Sequence, residues 1–164
     1  MTDTKEKQNR RRADLSQPGD RETTRHLSRV LQNMKRQKDA DVFIENHGEG
    51  TPRSFHEYMR QRMKESGLDR GTVISRSGIS KNYVYNILNG SKPNPGRDKV
   101  LALCIAAELD YAQTQKALEI AGLAPLYPRS ERDVRIAIAI NNGMNRVIMV
   151  NLMLDEYGLP PLDV

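Results

Sequence analysis

The chain has no tryptophan, two phenylalanines and one cysteine in 164 residues. A single cysteine excludes an internal disulfide. Cys104 shares an apolar helix face with Val100, Leu101 and Ile105 and reads as a small core residue, not a nucleophile. No apolar run approaches the roughly 18 residues of a membrane-spanning helix. No apolar segment follows the first basic residues, so no secretory leader is expected. His26, His47 and His56 stand apart without ligand-spaced partners, so no metal and no cofactor is expected. Phosphate-cradling glycine loops and nucleophile elbows are absent. The neighbouring acids Glu108 and Asp110, and Asp155 and Glu156, suit helix ends better than shared acid–base work. An enzyme is not expected; a soluble cytoplasmic protein is.

What the chain does have is unevenly placed positive charge. The total is +5. Residues 1–38 carry +6, residues 39–50 carry −4, residues 51–99 carry +6 and residues 100–164 carry −3. The first and third blocks form the footprint expected of a surface facing a polyanion.

Composition divides the chain further. Residues 1–24 lack large apolar side chains and are expected to be a disordered basic tail, with Arg10–Arg12 as its charge cluster. Residues 25–50 hold one or two short amphipathic helices (Leu27, Val30, Leu31, Met34, Val42, Phe43) and the start of a linker, Asn46 to Pro52. A helix over about 54–66 follows, with Phe55, Tyr58, Met59 and Met63 on one face and Gly67 as its stop.

The segment Asp69–Gly90, DRGTVISRSGISKNYVYNILNG, reads as two short helices around a tight turn at Gly78. Val73, Ile74, Ile79, Val84 and Ile87 are spaced to pack across that turn. Ser80 is placed to cap the second helix. Lys81, Asn82, Tyr83, Tyr85, Asn86 and Asn89 fall off its apolar stripe, and such side chains reach base edges and phosphates.

This segment resembles the helix-turn-helix of the phage Cro and repressor type, the XRE family, over roughly residues 54–109. The resemblance implies an all-α, lambda repressor-like DNA-binding fold of five helices, continued here by a second helical hairpin. It implies double-stranded DNA as partner, with the helix 80–89 in the major groove. Lys81, Asn82 and Asn86 would face base edges. Arg70 and Asn89 would stand at phosphates; beside the resemblance, Ser80, Tyr83, Lys92 and Arg97 are also expected at phosphates. The stretch from about Phe43 onward also resembles bacterial regulator-like proteins with a Leu-Tyr-Pro-Arg connector, here Leu126-Tyr127-Pro128-Arg129.

After the breaker loop Ser91–Gly96 the chain repeats itself. Arg97–Leu126 can be laid on Arg132–Leu162 with one inserted residue. Both copies begin Arg-Asp, hold two apolar helices and close on Gly-Leu-x-Pro-Leu. The repeat predicts a duplicated αα unit. Met144, Met149 and Met153 are spaced like core residues. The expected organisation is thus a helix-turn-helix DNA-binding domain over 51–126 and a C-terminal hairpin over 127–164 packed on it.

The function expected is sequence-specific DNA binding in a transcriptional regulator, acting as a homodimer on a two-fold operator. The acidic C-terminal part is the candidate dimer or protein-partner surface. The alternative is a protein-interaction adaptor on a helix-turn-helix scaffold that does not bind DNA, docking through Tyr83, Tyr85 and Leu88.

Overall fold

The structure, a computed structural model, describes residues 24–47 and 54–164, with side chains over 27–44 and 54–164. The basic tail with Arg10–Arg12 lies outside the described residues, as does most of the Asn46–Pro52 linker. All regular structure among the described residues is helical. Contacts divide the chain into two units at Glu49/Gly50.

The first unit holds α1 (Thr24–Asn33) and α2 (Gln37–His47). An Arg36–Asp39 ion pair at 2.9 Å spans the break into α2. Leu31, Val42 and Ile44 are exposed.

The second unit begins with α3 (Phe55–Ser66). Ser54 Oγ accepts the Glu57 N–H, and Gly67 ends the helix in the left-handed conformation. Phe55, Tyr58, Met59 and Met63 are buried, the i, i+3, i+4, i+8 stripe that faces a core. The Tyr58 hydroxyl donates to the Gln113 carbonyl at 3.2 Å, and burial pushes its pKa up to about 12. Next come α4 (Arg70–Ser77) and α5 (Lys81–Leu88), then α6 (Arg97–Ala106) and α7 (Tyr111–Ile120), then α8 (Glu131–Asn141) and α9 (Val147–Glu156).

α6 is the axis of this unit. Every residue from Val100 to Ala107 is at most 1% exposed. A helix apolar on all sides must be surrounded, and α4, α7 and α9 all pack on α6. Cys104 is among these residues, and burial raises its thiol pKa far above the usual value, so it stays a protonated packing group. α6 ends where Glu108 takes the left-handed conformation at φ 59°, letting Leu109 fold back into the core.

The duplication is visible atom by atom. Arg97 donates from Nε to the Ala124 carbonyl (2.9 Å) and from Nη2 to the Pro125 carbonyl (3.0 Å). Arg132, its counterpart, donates from Nε to Pro160 (2.9 Å) and from Nη2 to Pro161 (2.9 Å). Each arginine thus holds the closing turn of its own copy. Each also makes a two-pronged pair with the aspartate of the other copy: Arg97 with Asp133 at 3.1 and 2.8 Å, Arg132 with Asp98 at 3.1 and 3.0 Å. The same carboxylates accept the N–H of Tyr127 (2.9 Å) and Asp163 (3.0 Å). Gln115 grips both backbone polar groups of Leu126, and Asn151 does so for Leu162. The two hairpins are therefore stitched together by a reciprocal exchange of ion pairs. Two-pronged, partly buried pairs of this kind are the strong class of charged hydrogen bond.

One sequence expectation for the core is corrected here. Met144 and Met153 pack against the core, but Met149 is 48% exposed. It sits beside Ile148 on the outer face of α9, where no described element covers it.

Candidate nucleic-acid interface

The site is built on α4 and α5. Asp69 caps α4, its carboxylate accepting the Thr72 N–H at 2.7 Å; the Thr72 hydroxyl, and then that N–H, hold its pKa below the usual carboxylate range. Gly78 stands at φ 71° in the turn, a conformation that Cβ-bearing residues avoid. Ser77 locks the same turn: fully buried, its hydroxyl donates to the Ile74 carbonyl (3.0 Å) and accepts the Ile79 N–H (3.1 Å). Ser80 caps α5 by accepting the Tyr83 N–H at 3.4 Å. Beyond α5, the Lys92 N–H returns to the Asn86 carbonyl at 2.8 Å, closing the following loop onto the helix.

α5 is anchored on one side only. Val84, Ile87 and Leu88 are buried, and α5 packs on α3. Burial of two or three such side chains supplies about 1.5–3 kcal/mol each against exposure, enough to fix the helix direction. The opposite side is open. Lys81 and Asn82 are exposed, Asn86 is half-buried, and Tyr83 and Tyr85 lie between. The side chains of Asn82 and Asn86 have no hydrogen-bond partner among the described residues.

The two tyrosines organise the positive charge. Arg70 lies over the Tyr85 ring at 4.7 Å and Lys81 lies 5.8 Å from it. Lys92 and Lys99 stand 4.6 and 5.3 Å from the Tyr83 ring. Cations from α4, α5 itself, the loop after it and α6 are thus held on ring faces at the two flanks of the exposed side of α5, an attraction worth about 0.5–1 kcal/mol at an exposed site. No carboxylate ion pair competes for Arg70, Lys81 or Lys92 among the described residues.

The structure brings Arg70, Lys81, Asn82, Tyr83, Asn86 and Lys92 to this surface. Ser80 is exposed at the first turn of α5, its oxygen already used as a cap. Asn89 is exposed at the other end, where its Oδ1 accepts the Ser91 N–H at 2.8 Å. Arg97 is the exception. Its guanidinium is engaged by two carbonyls and Asp133, so its donors hold the repeat together. Leu88, named for an adaptor surface, is 4% exposed and belongs to the core. Ser77 and Lys99 carried no separate signal. Ser77 could have been suspected from its place directly before the turn glycine; the approach of Lys99 to Tyr83 depends on how α6 packs.

This geometry is that of a helix-turn-helix domain. Residues 55–117 match a family model described as a helix-turn-helix domain. No curated protein and no solved structure matches the chain. The domain suggests DNA as a partner and regulation of transcription as a role.

Proposed function

We propose that the chain binds double-stranded DNA sequence-specifically, with α5 in the major groove, as a transcriptional regulator of the XRE type. The observation that carries the reading is the two-sidedness of α5. Its apolar side is held by buried Val84, Ile87 and Leu88, while its other side offers a cation and two free amides. In this reading Lys81 approaches a guanine O6/N7 edge, and Asn82 or Asn86 pairs with the N6/N7 edge of adenine. Arg70, Lys92 and Asn89 contact phosphates, joined by the Ser80 and Tyr83 hydroxyls, and set the register. Arg97 is left out of this set because its donors are engaged inside the fold.

Selection of bound duplexes from a random pool tests the reading. A single half-site motif, bound more weakly as salt rises, supports it. Lys92→Ala should lower the log–log salt slope by about 1 without changing the selected sequence. Asn82→Ala or Asn86→Ala should cost about 1–3 kcal/mol at one base position. Absence of duplex binding at low salt overturns it.

A further inference from the structure

The two copies of the repeat differ where they meet solvent. On the second hairpin Val134, Ile138, Ile148, Met149, Leu152 and Tyr157 are 37–66% exposed. The matching positions of the first hairpin tell a different story. Ile138 corresponds to Leu103, which is fully buried beneath neighbouring helices. Met149 and Leu152 correspond to Gln113 and Lys116, which are polar. So at these positions the second copy exposes apolar side chains where the first is polar or covered, while Ile148 replaces the smaller, exposed Ala112 and Tyr157 carries Arg135 on its ring. Ile148 and Leu152, at i and i+4, form one ridge along α9, with Met149 beside it. A bare ridge of this kind marks an interaction surface.

The charges on α9 say what fits it. Its N-terminus has no side-chain cap, no acid in the first turn and no base in the last. Asp155 and Glu156 stand instead at its C-terminal end, where the helix dipole is already negative. Neither acid has an ion pair among the described residues. Within one molecule these charges are misplaced. A second α9 running antiparallel would correct both ends: its Asp155 and Glu156 would meet the uncapped N-terminus, and the reverse would hold at the other end. A surface that satisfies itself when turned by a half rotation is what a two-fold dimer requires.

We infer that the outer face of the α8–α9 hairpin is a homodimer surface, with α9 packed antiparallel on α9 of a second copy through Ile148, Met149 and Leu152. Its use, pairing two α5 helices on a two-fold operator, rests on the DNA-binding reading; the contact itself is tested without DNA.

Sedimentation equilibrium of the full chain should give a dimer. Leu152→Lys and Ile148→Lys each add charge to an exposed ridge, leave the helical spectrum unchanged, and should weaken association about 30-fold or more. Asp155→Lys with Glu156→Lys should weaken it about tenfold, and less so in high salt. Leu152→Cys should form a disulfide-linked dimer under mild oxidation, because Cys104 is buried; Ala112→Cys, exposed on α7, should not. A chain that stays monomeric at every concentration overturns the inference. So does a dimer that survives the lysine variants and does not cross-link at Leu152. A dimer that binds no duplex leaves this surface standing and removes the DNA reading; a monomer that selects a half-site does the opposite.

Discussion

Tyr83 and Tyr85 lie at the two edges of the exposed side of α5, and each has two cations against its ring. Their rings help hold these cations in place; Lys99 is held as well by the Asp163 carbonyl at 3.1 Å. Tyr85→Ala should therefore weaken duplex binding by about 0.5–1 kcal/mol while leaving the salt slope intact, since no positive charge is lost. Titrating affinity against salt for the variant and for Lys81→Ala separates the two effects. Asp98 makes a second residue-scale case. Burial works against its charged form, but the Arg132 guanidinium and the Asp163 N–H hold its pKa below the usual carboxylate range. Its folded value is depressed, so its stabilisation is present above the unfolded value of about 3.9 and is lost as pH falls through the lower folded one. Asp98→Asn should flatten that acid limb of stability, measured by urea unfolding at pH values on either side of it.

At the scale of elements, the turns set the geometry of α5. Gly78 at φ 71° starts it, and Gly90 at φ 84° follows it. A Cβ on Gly90 would come within 3.0 Å of the His56 ring, and one on Gly78 within 3.2 Å of Val164. Gly90→Ala should lower unfolding free energy by about 1–2 kcal/mol from the left-handed conformation alone, read as a drop in melting temperature by circular dichroism. These turns were legible in the sequence because they are local: a cap such as Ser54 or Ser80, a stop such as Gly67 or Gly78, and the paired Gly-Leu-x-Pro-Leu endings need only near neighbours. The failures of legibility share one cause. Met149 falls on an apolar helical period, yet nothing described covers it; Leu88 reads as surface and lies under α3. Arg97 carries the charge of a phosphate ligand, but its partners lie 27–36 residues further along. Periodicity reports which face is apolar, never which neighbour reaches it.

For the second unit as a whole, one hydrophobic core runs from Phe55 to Leu162, so the C-terminal hairpin is part of the body that supports α5. α9 packs on both α4 and α6. Asp133→Ala would leave Arg97 partly buried without its carboxylate, and should lower stability by about 3 kcal/mol. Chemical denaturation should show that loss in the same cooperative transition that unfolds α5, monitored through Tyr83 and Tyr85. If the two hairpins were independent, α5 would melt unchanged in this variant.

The crossed pairs Arg97–Asp133 and Arg132–Asp98 have one more consequence. Repeats that grow into long arrays join head to tail, and each new unit leaves a vacant end for another. Here each unit gives the other what it receives, so both ends are occupied once two are present. A third copy added by duplication would find no acceptor. The architecture is thus self-terminating at two, and further growth of the assembly has to come from separate chains.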